Sequence, residues 1–170
     1  MEEFVVSPPN TLLYIIAGIL VVGLASVLLH RGDRRKKITA LAVLIVVSAG
    51  LLLFLYRPTR IEVDADGVAI SGRITEEFTW SQVESALFEP NLPVSEWRPT
   101  VRQVGAAIGS YRTGRFLLSN GNPAQLAMER DDSTVILRTA DTTYLLAPPD
   151  VEALAQAINS YRTIGEEGND

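Results

Sequence analysis

The chain has 170 residues, of which 47% are hydrophobic and 21% charged, with a mean hydropathy of +0.18 and a formal net charge of −5. A chain this apolar is not disordered throughout. With no cysteine there are no disulfides, thiolate metal sites or cysteine nucleophiles, and the single histidine, His30, leaves a zinc site or a histidine-based triad almost no material.

In chain order, residues 1–10 read as a short acidic tail containing Glu2 and Glu3. Thr11–Leu29 and Ile38–Tyr56 are two runs of 19 residues without a charge. At ~1.5 Å rise per residue, such a run approaches the ~30 Å hydrocarbon core of a bilayer. Neither run keeps a polar stripe, so both are expected to be transmembrane helices. The start lacks the positive region of a signal peptide, so the first run is expected to stay uncleaved. Residues 30–37 form a short basic connection, which makes the two runs a tight antiparallel hairpin. Gly18, Gly23, Ser26, Ser48, Ala49 and Gly50 allow close packing. Arg31, Arg34, Arg35, Lys36 and Lys37 face only Asp33 as a counter-charge. By the positive-inside rule this loop is cytoplasmic, touching lipid headgroups, and both termini lie outside. His30 is expected to be an interfacial anchor.

Residues 57–170 carry ten arginines, no lysine and 17 acidic residues, a net charge of −7. A domain this acidic is a poor nucleic-acid binder, because such binding rests on neutralising phosphates. Alternation and turn residues predict a series of short strands. Ile61–Asp64 and Val68–Ser71 flank an Asp-Gly turn, and Glu77–Thr79 leads through Trp80-Ser81-Gln82-Val83 into an extended Glu84–Phe88. Arg115–Ser119 and Ala124–Glu129 flank Asn120–Pro123, and Thr134–Thr139 and Thr143–Leu146 flank Ala140–Thr142. The period then changes. Asp150 is placed to cap a helix whose Val151, Leu154, Ala155, Ile158 and Tyr161 recur on one face, with Arg162 in its last turn. Residues 165–170 read as a disordered tail.

About seven antiparallel strands closed by one amphipathic helix resembles the pleckstrin-homology fold, and is most similar to the bacterial PH-domain family. The carrying residues are Ile61–Ile70, the Trp80–Val83 turn, Tyr111–Phe116, and Tyr144–Asp150 entering the helix, so the resemblance spans roughly residues 60–161 of a domain at 57–164. It implies a bent antiparallel sheet, or partly open barrel, whose open end the helix plugs. A transmembrane hairpin before the domain is also similar to what that family shows. PH-like folds are mostly binding modules, and the ligand does not follow from the fold. Phosphoinositide binding in such domains uses Lys and Arg at the first hairpin. Here that turn is Asp64-Ala65-Asp66-Gly67, whose carboxylates repel a polyphosphate.

The candidate contact residues lie in Pro90–Gly114, which lacks strand periodicity and reads as a 25-residue loop. Trp97, Arg98, Arg102 and Arg112, with Arg115 just beyond, are opposed there only by Glu96. They form either an anion or partner contact, or an internal salt-bridge network around a core Trp97. Gly105, Gly109, Gly114 and Gly121 follow no phosphate-loop pattern and read as turn glycines. Asp64–Gly67 lacks the later ligands of a calcium loop. The acidic pairs Glu76-Glu77 and Asp131-Asp132 read as solvated turn residues, and Phe78 and Trp80 as core. No serine motif has a base in the soluble part. No enzyme activity, cofactor or metal is expected. The expected function is a membrane-anchored PH-like module that binds a protein or peptide. The alternative is a lipid- or small-anion-binding sensor using the Arg98–Arg115 segment.

Overall fold

The computed structural model describes residues 1–29 and 34–167, in two compact units: Pro8–Arg57, and Met1–Ser7 together with the chain from Pro58 onward. His30, Arg31 and the last three residues of the expected tail lie outside the described residues.

The first unit is two helices, α1 (Thr11–Leu29) and α2 (Arg34–Leu55). They are antiparallel. Asn10 Oδ1 accepts a hydrogen bond from the Tyr56 hydroxyl (3.3 Å), while further along a Cβ on Gly23 would stand 2.9 Å from Leu44. Gly23 thus makes room for the Leu44 side chain of the other helix, and Ile16 and Ser48 are buried. By contrast, added Cβ atoms at Gly18 and Gly50 would meet nothing within 4 Å, so these glycines do not serve the packing expected of them. Arg34–Lys37, read as loop, form the first turn of α2. Among the described residues one helix, Arg34–Leu53, is long and apolar enough to cross a membrane, and Thr11–Val27 is a shorter apolar helix. Only 6% of the α2 window is buried, unlike a core helix of a soluble protein.

The second unit is mainly β. Residues 1–10, expected as a tail, contain a strand, β1 (Glu2–Val6), which pairs antiparallel with β2 (Thr59–Val63). The two helices are therefore an insertion between adjacent strands of one sheet. That sheet continues through β3 (Gly67–Ser71) and β4 (Glu76–Thr79) in the order β1-β2-β3-β4. Thr59, Ile61 and Val63 are buried and alternate with Arg60 and Glu62, as a strand with one covered face requires. At the β2–β3 turn the Asp64 carboxylate accepts the N–H groups of Asp66 (3.0 Å) and Gly67 (3.2 Å). This local cap is why Asp starts the turn.

After a 3₁₀ turn at Trp80–Gln82 come β5 (Val83–Glu89), β6 (Pro99–Ile108), β7 (Tyr111–Leu118), β8 (Pro123–Met128), β9 (Thr134–Thr139) and β10 (Thr143–Ala147). They form one sheet in the order β5-β9-β10-β8-β7-β6. Among the described residues ten strands thus replace the expected seven or so, and one pair is parallel, β8 with β10. The reason lies in residues 129–133. They carry the chain past the place beside β8, and β10 then turns back from β9 into that gap. Arg130 fixes this crossover with a two-pronged contact to Asp132 and an Nη1–H donated to the Pro149 carbonyl (3.1 Å).

Helix α3 (Val151–Glu167) packs on β2, β5, β9 and the 3₁₀ turn, burying Val151, Leu154, Ala155, Ala157 and Ile158. The expected face is the buried one, with Tyr161 half-buried, and the Asp150 carboxylate accepts the Ala153 N–H (3.0 Å) as the cap. The helix runs past residue 164, so Arg162 is not in its last turn. Both sheets and α3 share one core, which includes Ile61, Phe78, Trp80, Phe116, Leu126 and Leu145.

Candidate functional site

Pro90–Gly114 is not a 25-residue loop. It holds a short 3₁₀ turn (Leu92–Val94), all of β6 and the start of β7. The approach to β6 is tied down by local chemistry. The Glu89 carboxylate accepts the Asn91 N–H (3.0 Å) and the Ser95 hydroxyl (2.9 Å), and Ser95 Oγ accepts the Trp97 N–H (3.2 Å). Ser119 donates its hydroxyl to the Glu96 carbonyl (2.7 Å) and its N–H to the Arg98 carbonyl (2.9 Å). Leu92 is fully buried, and Trp97 is half-buried, packed against the core.

Among the described residues strand β6 is the last strand of its sheet and pairs only with β7. Its register with β7 shifts twice, between Pro99 and Val101 and between Arg102 and Val104. The second bulge brings Val101 and Val104, three residues apart, onto one face, opposite Leu117 and Arg115. Both valines are exposed, 57% and 69%. Further along, Gly105 faces Gly114 directly. Both have positive φ (113° and 103°), and a Cβ on either would strike the other strand's backbone, 1.9 Å from the Thr113 oxygen and 2.4 Å from the Val104 oxygen. These two glycines bend the ribbon mid-strand and are not turn glycines. Gly109 and Gly121, with φ of 60° and 83°, do sit at the β6–β7 and β7–β8 turns.

The arginines do not converge on a pocket. Arg102 lies opposite Phe116 and Arg115 opposite Val104, so they occupy opposite faces of the ribbon. Arg112 reaches Asp131 (3.7 Å) and is the one member of the group with a carboxylate partner. Arg98 donates Nη1–H to the Pro93 carbonyl (3.4 Å). Among the described residues, Arg98, Arg102 and Arg115 make no ion pair. The expected salt-bridge network is therefore confined to Arg112. Arg115 borders a small cleft with Gln125, Asp141 and Thr142.

The opposite electrostatic character gathers elsewhere. Glu62, Asp64, Asp66 and Glu77 line the concavity beside the β2–β3 turn. Glu76, Glu77, Glu84 and Asp141 line a wider cleft of about 530 Å³ floored by Phe78 and Tyr144, whose rings stand 4.8 Å apart. Burial pushes the Tyr144 phenol above its ordinary pKa, and Glu76 adds to the rise. Tyr111 is raised by burial too, with the Arg73 charge opposing the rise. No group of three or more metal-binding side chains comes together among the described residues.

Two sheets around one core, closed by a C-terminal helix, define a small mainly β domain. Residues 91–161, from the approach to β6 into α3, match the family model described as Bacterial PH domain, a family whose fold points to a binding module. The match covers the later part of the resemblance read from the sequence and leaves residues 60–90 outside it. No curated protein matches the chain.

Proposed function

We propose that this protein is a membrane-anchored PH-like module that binds a protein or peptide segment at the membrane surface and carries out no catalysis. One observation carries the reading. β6 is a ten-residue edge strand, exposed on both faces, and among the described residues its Arg102, with Arg98 just before it and Arg115 on β7, has no carboxylate partner. A row of unpaired backbone donors and acceptors invites an added strand. The separation of Arg102 from Arg115 disfavours the alternative, since binding a small anion needs guanidinium groups aimed at one point. The carboxylates around the β2–β3 turn disfavour a phosphoinositide headgroup there.

The anchor in this reading is the pair α1 and α2. Leu53 (76% exposed) and Val46 (69%) are among many large apolar side chains facing outward, a surface that lipid covers and water disfavours. Arg31 and Arg34–Lys37 set the cytoplasmic side of the hairpin and touch headgroups, which puts the β unit outside the cytoplasm. Two experiments test the proposal. Crosslinking in intact membranes followed by mass spectrometry is expected to recover a partner linked through β6 or β7. With Ala65→Cys, at the exposed β2–β3 turn, an impermeant thiol reagent is expected to label intact cells. Labelling only after lysis overturns the orientation, and recovery of the full chain in the soluble fraction overturns the anchor.

A further inference from the structure

We infer that the β6 edge accepts an extended acidic polypeptide segment, which joins the six-stranded sheet as a seventh strand. The inference rests on the binding-module reading above and names the chemistry of the partner. From Arg98 to Leu118 the chain has four arginines and no acidic residue, within a part of the chain whose net charge is −7. Among the described residues, Arg112 is the one of the four with a carboxylate partner. The charge is therefore local to one ribbon, and it borders the one side of the sheet where β6 has no neighbouring strand.

The geometry suits a strand better than a point ligand. Successive residues of an added strand point to opposite faces. Arg102 stands on one face of the ribbon, while Val101, Val104 and Arg115 share the other. A segment alternating carboxylate and β-branched residues thus sets its carboxylates toward Arg102 and its apolar side chains against the two exposed valines. A second copy of this chain paired through its own β6 would instead bring two sets of uncompensated arginines together, and like charges across a strand pair are destabilising. The other edge of the sheet, β5, carries Glu84 and Glu89 with an exposed Leu87, so association of copies is a real competitor for the experiment to exclude.

The test uses the full chain in zwitterionic detergent micelles and a ten-residue peptide of alternating Glu and Val, with the Lys-Val peptide as its control. The Glu-Val peptide is expected to bind and to slow amide hydrogen exchange at residues 101–108. Its affinity is expected to fall as salt is raised, and by tenfold or more in the Arg102→Glu variant, whose thermal melt should match that of the parent. Equal binding of the two peptides, no binding of the acidic one, or protection confined to another face overturns the inference. Sedimentation showing a dimer whose β6 amides are already protected assigns the edge to a second copy and overturns it as well. If β6 is silent while a crosslinked partner maps to another surface, the binding-module reading stands and this inference alone fails.

Discussion

Two ribbons of the β unit differ in nearly every respect. The β2–β3 hairpin is acidic, keeps an unbroken register from Val63↔Val68 to Arg60↔Ser71, and is closed by a turn that Asp64 caps with its own carboxylate. The β6–β7 ribbon is basic, shifts register twice, and bends at a facing pair of glycines. The first has one buried and one solvated face, whereas β6 is exposed on both. The contrast teaches that the sheet's irregular ribbon is where backbone hydrogen-bonding capacity and positive charge are left unused. Regularity serves the core, and the bulges re-aim side chains outward.

The largest expected effect comes from straightening the bend. Gly105→Ala and Gly114→Ala each place a methyl group against the facing backbone at a φ that L residues avoid. Each is expected to cost about 3 kcal/mol or more, measured by urea denaturation, and Gly109→Ala, with open space around it, is expected to cost much less. If all three variants behave alike, the bend is not what separates the ribbons. Next, removing residues 1–6 strips β1 from β2. Loss of buried Val6 alone is expected to cost about 2 kcal/mol in the same measurement. No loss of stability would show that the acidic sheet does not need its first strand. Asp64→Ala deletes the turn cap and is expected to destabilise by about 1 kcal/mol, while leaving peptide binding at β6 unchanged.

The smallest effect concerns the crossover next to β8. The hydrogen bonds and charge of Arg130 hold the Asp132 carboxyl at a pKa of about 2, below its ordinary 3.8. A carboxylate whose pKa is depressed on folding adds stability that is present above its unfolded pKa and is lost as pH falls through the folded value. The contribution should therefore fade between about pH 4 and 2. The pair is exposed, so the change in stability is small. A carbon-detected NMR titration should find the Asp132 midpoint near 2, and Arg130→Gln should return it toward 3.8.

The same contrast explains what could be read from sequence. The β2–β3, β7–β8 and β9–β10 hairpins and the Asp150-capped helix were legible because period and turn chemistry agree locally there. β6 was not, because its bulges place Val101 and Val104 on one face at a spacing of three, which breaks the alternation that marks a strand. β1 was hidden because five residues before an apolar run carry too little pattern, and its partner is more than fifty residues away. The parallel β8–β10 pair was hidden because nothing within either strand records that β10 displaces β9 as the neighbour of β8. Of the candidate site, the clustering of arginines was visible. Their division between two faces, and the pairing of Arg112 with Asp131, depend on register and were not.

The insertion of two helices between β1 and β2 also has a consequence for folding. Pairing Val6 with Thr59 closes a loop of about fifty residues, for which a flexible chain would lose about 3.5 kcal/mol of conformational entropy in the length-dependent part alone. The loop is not flexible. Once α1 and α2 are packed, Asn10 and Tyr56 are held within hydrogen-bond distance, so the chain ends that β1 and β2 must bring together have already met. The hairpin thus turns a distant strand pairing into an effectively local one, and β1 can dock on β2 with most of its entropic cost already met.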